Sequence, residues 1–343
     1  MSTHESTDGA ASPPDVTLLQ LMTGYWGAQA VYIAAKLGLA DLLTDGPVSS
    51  DDLAAATQTD PLSLYRVLRA LASIGVFMEV APRQFALTPT AALLQTATPG
   101  SMRSLAIIYN EELYRAWGDM LHSIQTGQPA FRHHFGMAPF EYFAQHPEVD
   151  RVFNEAMIGY THRVARAVVE AVDFAPFKTI VDVGGGYGTL LAAILQRTPV
   201  ARGVLFDLPH VIAGAEDYLA SAGVADRCTR VGGDFFAAVP SGGDAYVLSQ
   251  ILHDWDPDHC ITILMNCRQA ISTHGRLLVV ELVVPEGNTP DFGKWVDLHM
   301  LAITGGRERT AAEYGALFQK TGFELVRVMP TSAGPGVVEA RPI

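Results

Sequence analysis

Apolar residues recur at helical spacing between residues 18 and 43, through Leu19, Leu21, Met22, Trp26, Val31, Ile33, Leu37, Leu39 and Leu42. They exceed what one buried face requires, so part of this stretch is expected to pack on a second subunit. The small, polar and Pro-containing residues 1–15 read as a mobile tail. Pro47-Val48-Ser49-Ser50-Asp51-Asp52-Leu53 and Asp60-Pro61-Leu62-Ser63-Leu64 each open a capped helix, the second ending at Gly75. Residues 76–80 and 84–88 then read as a hairpin, and two helices with a β-wing make a winged helix. Such modules often read DNA. This recognition helix offers only Arg66 and Arg69, both expected against a Leu and Val period that wants burial, which is too little charge to hold phosphates.

From 99 to about 172 the pattern stays helical, broken by a Gly-Gln-Pro turn near 127 and an aromatic loop, Phe131-Arg132-His133-His134-Phe135-Gly136. Adjacent histidines point apart on most backbones, so His133 and His134 read as surface or pocket-rim groups rather than metal ligands. The helix carrying Phe153, Met157 and Thr161 reads either as plain core or as the lining of a pocket for a flat substrate. Beyond it the period changes. Strand patterns at 179–183, 202–207, 226–231, 245–249 and 276–283 alternate with helical ones after 189, after Pro209, at 258–272 and at 310–320. A hairpin of 323–328 and 336–340 closes the chain. Repeated βα units imply a mostly parallel sheet whose ligands lie at the carboxyl ends of its strands.

Asp182, Asp207, Asp234, His253 and Glu281 fall at or near those ends. The glycines after the first strand, Gly184, Gly186 and Gly188, are spaced G-x-G-x-G, whereas dinucleotide enzymes usually show G-x-G-x-x-G. Asp182, just before them, would repel a pyrophosphate and suits a cationic ligand such as the amino group of S-adenosylmethionine. Asp207 stands where an acid accepts hydrogen bonds from a ribose diol, or alternatively caps the helix after Pro209. Asp234 with Phe235 and Phe236 suits an adenine amino group and ring face. His253 is the candidate base: an imidazole of pKa near ~6.5 takes the proton from a phenol as its oxygen attacks a sulfonium methyl group. Glu281, on the next strand, is expected to reach the ring nitrogen opposite the substrate and fix the tautomer, with Glu308 approaching from a loop above. Their alternatives are an edge-strand surface carboxylate and a helix-start salt bridge.

Composition narrows the class. The 343 residues, 49% hydrophobic, suffice for two cores. Lys and Arg number 23 against 36 Asp and Glu, a net charge of -13 that disfavours nucleic acid as a partner. No apolar run reaches bilayer length and Met1-Ser2-Thr3-His4-Glu5-Ser6 lacks signal-peptide character, so no membrane association and a cytoplasmic location are expected. Cys228, Cys260 and Cys267 form no C-x-x-C pair and read as reduced buried thiols.

Taken together, DVGGGYG at 182–188, LFDLP at 205–209, GDFF at 233–236, HDW at 253–255 and GGRERT at 305–310 resemble the caffeic-acid-type small-molecule O-methyltransferase family, over nearly the whole chain. The resemblance implies an α/β fold: a Rossmann-like seven-stranded methyltransferase sheet in 173–343, a helical linker and substrate-pocket region in 99–172, and a mostly helical winged-helix dimerisation domain in 16–98. It also implies S-adenosyl-L-methionine as cofactor, S-adenosyl-L-homocysteine as product, no metal, a homodimer, and methylation of a phenolic or enolic hydroxyl on a small aromatic metabolite. His253 is implied as base, flanked by Glu281 and Glu308. Cofactor contacts are implied for Thr161, Asp182, Gly184, Gly186, Asp207, Leu208, Gly233, Asp234, Phe235 and Ser249, and pocket positions for Phe153, Met157, Asp254, Asp297 and Met300. Ser249 departs from the plant pattern, which has Lys four residues before the catalytic His. Two other readings stand beside this one: the same scaffold repurposed for decarboxylation or hydroxylation, and a cofactor-sensing winged-helix regulator.

Overall fold

In the computed structural model, which describes residues 13–343, the first helix begins at Pro14, where a missing N–H costs nothing. The helix thus begins inside the stretch read as a mobile tail, of which residues 1–12 lie outside the described residues. Helices α1 (Pro14–Thr23), α2 (Tyr25–Lys36) and α3 (Leu39–Leu42) carry the first apolar stretch. α2 and α3 bury Ala34, Ala35, Leu39 and Ala40, whereas α1 buries no side chain. Leu18, Leu19, Leu21, Met22 and Trp26 are each more than half exposed.

Ser49 and Asp60 cap the next helices by accepting the N–H groups of Asp52 and Ser63. The elements β1 (Val48–Ser49), α4 (Ser50–Thr57), α5 (Pro61–Ser73), β2 (Phe77–Ala81) and β3 (Gln84–Leu87) form the winged-helix pattern, with an antiparallel sheet ordered β1-β3-β2. The arginines correct the expectation. Leu64, Leu68 and Leu71 make the inward face of α5, and at ~100° per residue Arg66 and Arg69 fall opposite it and are exposed. α6 (Pro89–Ala92) and α7 (Arg103–Asn110) complete this unit, α7 packing on α2 with Arg103 Nε donating to the Ala35 carbonyl at 2.8 Å. That packing carries the first unit to Asn110, past residue 98.

The second unit, Glu111–Ile343, opens with α8 (Glu112–Gly118), α9 (Met120–Thr126), α10 (Ala130–Phe135), α11 (Pro139–Gln145) and α12 (Pro147–Ala171). The stretch at 131–136, expected as a loop, is α10: Phe131 is buried against Phe135, Tyr142 and Phe143, which holds the turn helical. His133 and His134 are exposed, His133 stacked on His122 and His134 bonded to Asp119 at 2.8 Å. The sheet elements are β4 (Thr179–Val183), α13 (Thr189–Arg197), β5 (Arg202–Asp207), α14 (Pro209–Ser221), β6 (Cys228–Gly232), β7 (Ala245–Ser249), α15 (Pro257–Ala270), β8 (Arg276–Glu281), α16 (Gly293–Ile303), α17 (Ala311–Lys320), β9 (Phe323–Met329) and β10 (Gly336–Pro342).

The strands form one seven-stranded sheet, β6-β5-β4-β7-β8-β10-β9, parallel from β6 to β8, with β10 antiparallel to both of its neighbours. Three details differ from expectation. The strand expected at 226–231 starts at Cys228, after a 3-10 turn at Ala225–Arg227. β8 stops at Glu281, because Val283 pairs instead with Arg309. α16 has no counterpart in the sequence reading. Strand alternation sends Ile180 and Asp182 to one face and Val181 and Val183 to the other. On the first face Val164, Ala165 and Val168 of α12 share a core with Leu191, Ile194 and Leu205. α12 is thus part of the sheet's own packing rather than a separate linker.

Candidate active site

β4 runs into Gly184, whose N–H donates to the Phe206 carbonyl at 2.8 Å and whose φ is +70°. A Cβ there would stand 2.5 Å from Ile251 Cδ1 and 3.5 Å from Phe235 Cε1, so only glycine meets both the backbone and the close approach. The glycine turn, Ile251 just after β7 and Phe235 therefore come together at one point. Asp207 does not cap α14, which has no side-chain cap; its carboxylate accepts the N–H groups of Gly186 at 2.8 Å and Leu208 at 2.7 Å. Gly233 N–H donates to the Asp207 carbonyl, and the exposed Asp234 accepts Phe236 N–H. Asn266 holds the carbonyls of Phe235 and Phe236 at 2.8 and 3.0 Å.

Asp182 is 1% exposed and lies beneath Gly185, where an added Cβ would meet its Oδ2. Sealed there, it does not offer its carboxylate directly to a ligand amino group. Neither oxygen has a hydrogen-bond partner; Leu191 N–H approaches without reaching bonding geometry. Burial, and after it the charge of Asp207, raises its pKa from 3.8 to about 7. The folded state thus holds this proton more tightly than the unfolded state, so the penalty for ionisation grows from about pH 4 and is complete above pH 7. A shift of that size corresponds to ~4 kcal/mol. Asp182→Asn is expected to lower stability at pH 4 by about 1–2 kcal/mol, the cost of an unpaired amide, and to raise it at pH 8 by about 2–3 kcal/mol, where that cost is set against the relieved ionisation penalty. Urea unfolding at the two pH values checks this.

His253 stands on a short turn, Leu252–Asp254, built immediately after β7. Gln250 takes a left-handed φ of +57°, and its N–H and Nε2 both donate to the Val280 carbonyl at 3.1 Å. Glu281 Oε1 then accepts the N–H groups of Ile251, Leu252 and His253 at 3.1, 2.6 and 3.2 Å, while Tyr314 donates its hydroxyl to Oε2. Glu281 is fully buried and holds the backbone of the turn, with no contact to the imidazole among its hydrogen bonds. The expectation that it fixes the tautomer is therefore corrected. Glu308, 4% exposed, has that position, with Oε1 at 2.8 Å from His253 Nδ1.

Two further groups clamp the turn. Arg309, 1% exposed, donates to the carbonyls of Leu252 at 2.9 Å and Trp255 at 3.2 Å and to Cys260 Sγ at 3.2 Å. Arg307 N–H donates to the His253 carbonyl at 2.8 Å. This approach is why Gly306 precedes it: a Cβ at that residue would land inside the His253 carbonyl oxygen. Sequence reasoning took Glu308 from GGRERT and missed Arg309 and Gly306, although the same motif contains them.

The charges decide the protonation state. Burial by itself disfavours the imidazolium of His253, but Asp254, Glu308 and Glu281 outweigh it and raise the pKa from 6.5 to about 10. Asp254 Oδ2 lies 3.9 Å from Nε2, on the side away from Glu308. Burial in turn raises the pKa values of Asp254, Glu308 and Asp297. Asp297 accepts the Glu308 N–H at 2.9 Å, so α16 orients the carboxylate that orients the histidine.

Phe153, Met157 and Thr161 are half-buried and recur at i, i+4 and i+8 on one face of α12; Phe153 stacks on Phe143 at 4.7 Å, within an aromatic cluster. Ser249 and Met300 are half-buried at the end of β7 and on α16, and Leu208 is exposed. His299 and Trp117, unread in the sequence, are bonded to each other beside Met300. No group of three or more potential metal ligands gathers among the described residues.

Comparison with known proteins shows the family. A family model for the O-methyltransferase domain matches residues 117–324, and one for the O-methyltransferase dimerisation domain matches 19–97. The chain belongs to the O-methyltransferase family. It is 57% identical to phenazine O-methyltransferase PhzM of Lysobacter antibioticus, over 99% of both chains. It is 39% identical to 8-amino-8-demethylriboflavin N,N-dimethyltransferase of Streptomyces davaonensis, over 92% of this chain and 91% of the relative. Among solved structures it matches CalO1, a methyltransferase of calicheamicin biosynthesis in its SAH-bound form, with a TM-score of 0.88 and 37% identity over 96% of this chain and 98% of that one. The family is thus one of S-adenosylmethionine-dependent methyltransferases, and it includes members that methylate nitrogen. No helix among the described residues is long and apolar enough to cross a membrane.

Proposed function

We propose that the protein transfers a methyl group from S-adenosyl-L-methionine to a phenolic or enolic hydroxyl of a small aromatic metabolite, with His253 as general base. The observation that carries this reading is the buried Glu308···His253 pair. Glu308 accepts the hydrogen bond from Nδ1–H, which leaves Nε2 to receive a proton from the substrate. An amine nucleophile, already bearing a lone pair, has less use for such a base, and this favours oxygen over nitrogen.

The glycine turn suits the cofactor, since the Gly184 cradle has no room for a Cβ and Asp207 stands at the strand end beside it. Gly184, Gly186, Asp207, Leu208, Gly233, Asp234, Phe235, Ser249 and Thr161 are the residues we assign to holding it. When bound it supplies a methyl group on a positively charged sulfur, so little electrophilic help is needed. Phe153, Met157, Asp297 and Met300 would line the substrate pocket, and Asp254 would stabilise the imidazolium once formed. Because its pKa is raised, His253 carries a proton at neutral pH and gains competence as base while pH rises. kcat/KM is expected to climb well past neutrality, and Asp254→Asn, by removing the first of the raising charges, is expected to move that limb to lower pH. Substrate ionisation cannot produce a shift between the two enzymes. Labelled cofactor with paired phenol and aniline acceptors tests the reaction itself; label on nitrogen alone would overturn the oxygen assignment.

The apolar face of α1 and α2 supports a homodimer through the N-terminal unit, a reading that also gives the winged helix a role without DNA. Sedimentation at micromolar concentration should give twice the monomer mass; a monomer would refute it.

A further inference from the structure

Asp182 is a buried acid to which the proposed chemistry gives no task. Its side chain is sealed under the glycine turn: a Cβ on Gly185 would stand 2.5 Å from its Oδ2 and 2.6 Å from its Cγ, so no side chain separates the carboxylate from the Gly185 backbone. The donors of the turn point away from it. Gly184 and Gly185 N–H donate to the Phe206 carbonyl at 2.8 and 3.3 Å, and Gly186 N–H to Asp207 Oδ2 at 2.8 Å. Both Asp182 oxygens are left without a partner. The groups that bear on it bring no positive charge. Asp207 on β5 repels it, and Cys228 on β6 keeps a neutral thiol, pushed up to about 11 by burial and then by Asp182 itself. Val247, its neighbour on β7, and Val164 and Val168, the α12 side chains of that face, are apolar, while α13 brings the Leu191 N–H short of bonding geometry.

An anion in this position lacks a counter-charge, and a cation resting on the turn would supply one across a single peptide layer. The two ligands of the turn differ in that respect alone. When the S–CH3 bond breaks and the O–CH3 bond forms, the bonding pair stays on sulfur, and the sulfonium of S-adenosylmethionine becomes the neutral thioether of S-adenosylhomocysteine. We infer that Asp182 is a specificity-determining residue that reads the charge of the bound cofactor through the glycine turn, ionising under S-adenosylmethionine and regaining its proton once the methyl group has gone. This rests on the turn holding the cofactor, as proposed above. The proton leaves to solvent on binding and returns from solvent after transfer, so Asp182 adds nothing to the one proton that each methylation releases. Linkage makes the effect reciprocal: the proton on Asp182 weakens S-adenosylmethionine by the factor by which that ligand weakens the proton. At an effective dielectric near ~20 that factor is about 3- to 30-fold, and it is absent for the spent product. Because the acid titrates at about 7, the discrimination operates around neutral pH.

Isothermal titration of the full-length protein with each ligand, at about pH 5.5, 7 and 8.5 and in two buffers of different ionisation enthalpy, gives both affinities and the protons exchanged. In the wild type the preference for S-adenosylmethionine over S-adenosylhomocysteine should rise by about 3- to 30-fold from the lowest to the highest pH. In Asp182→Asn, which imitates the neutral acid, that rise should vanish. The ligands' own amino groups titrate in both proteins, so the difference between the proteins isolates Asp182. Near neutrality the wild type should also release more protons than the variant on binding S-adenosylmethionine and no more on binding S-adenosylhomocysteine. Infrared difference spectra supply a readout that needs no variant: the carbonyl band of a protonated acid should shrink when S-adenosylmethionine saturates the protein at neutral pH and persist with S-adenosylhomocysteine. A preference that moves with pH as much in Asp182→Asn as in the wild type, or an acid band indifferent to S-adenosylmethionine, overturns the inference and leaves the cofactor site standing. If neither ligand binds at any pH, the cofactor reading falls and the inference with it.

Discussion

Alanine at His253 should reduce kcat by about 10²- to 10⁴-fold while the dissociation constant for S-adenosylmethionine changes by less than about threefold. The imidazole is 7% exposed, and its Nε2 is the ring nitrogen not taken by Glu308. Without it a neutral hydroxyl must attack with its proton still attached, and only reactant proximity remains to accelerate the reaction. Glutamine at Glu308 is expected to cost less, because its amide oxygen still accepts the Nδ1 proton. Isothermal titration with cofactor and steady-state kinetics on one phenol separate the outcomes. If the alanine variant keeps more than a tenth of wild-type kcat, His253 is not the base and the mechanism fails.

Methionine at Arg309 should be the most damaging change away from the reacting atoms, lowering stability by about 3–5 kcal/mol and kcat by at least about tenfold. The guanidinium is buried and bonds the carbonyls of Leu252 and Trp255, which bracket His253. Methionine fills much of the volume but donates nothing, so the turn loses one of its clamps and the Trp255 carbonyl loses a charged donor. Since Glu281 and Arg307 still hold the turn from other sides, it should loosen rather than unfold. Thermal melts should fall by roughly 10 °C for a unit of this size. Unchanged melting with lost activity would mean that Arg309 acts on the substrate rather than through the loop.

Much of the fold was legible along the chain. Short, mainly apolar runs at 179–183 and 245–249, with helical periods between and after them, pointed to a mostly parallel sheet, which is what forms. The capped helix starts at 47–53 and 60–64 read correctly, with Ser49 and Asp60 as the caps, because a cap bonds a backbone group only two or three residues away. Errors arose where long-range packing overrode local signal. The aromatic stretch at 131–136 reads as a loop after the Gly-Gln-Pro turn, yet Phe131 is buried against Phe143 and the segment is helical. Arg66 and Arg69 were placed against the core by composition, whereas helical phase puts them outside.

By itself the order of residues determined which groups reach the carboxyl ends of the strands: Asp182, Asp207 and Glu281 lie at the ends of short strands of known period and His253 just after one. Only tertiary structure decided what those groups do. His253, Glu281 and Glu308 lie tens of residues apart, and side-chain chemistry cannot say which of two identical carboxylates meets the imidazole and which holds the backbone beneath it. Burial cannot be read from residue type either. It turned Asp182 into an unpaired acid that holds its proton up to neutral pH, and it left His299 uncharged beside a charged histidine. Hydrogen-bond direction and dielectric environment are properties of neighbours in space, and a one-dimensional pattern carries neither.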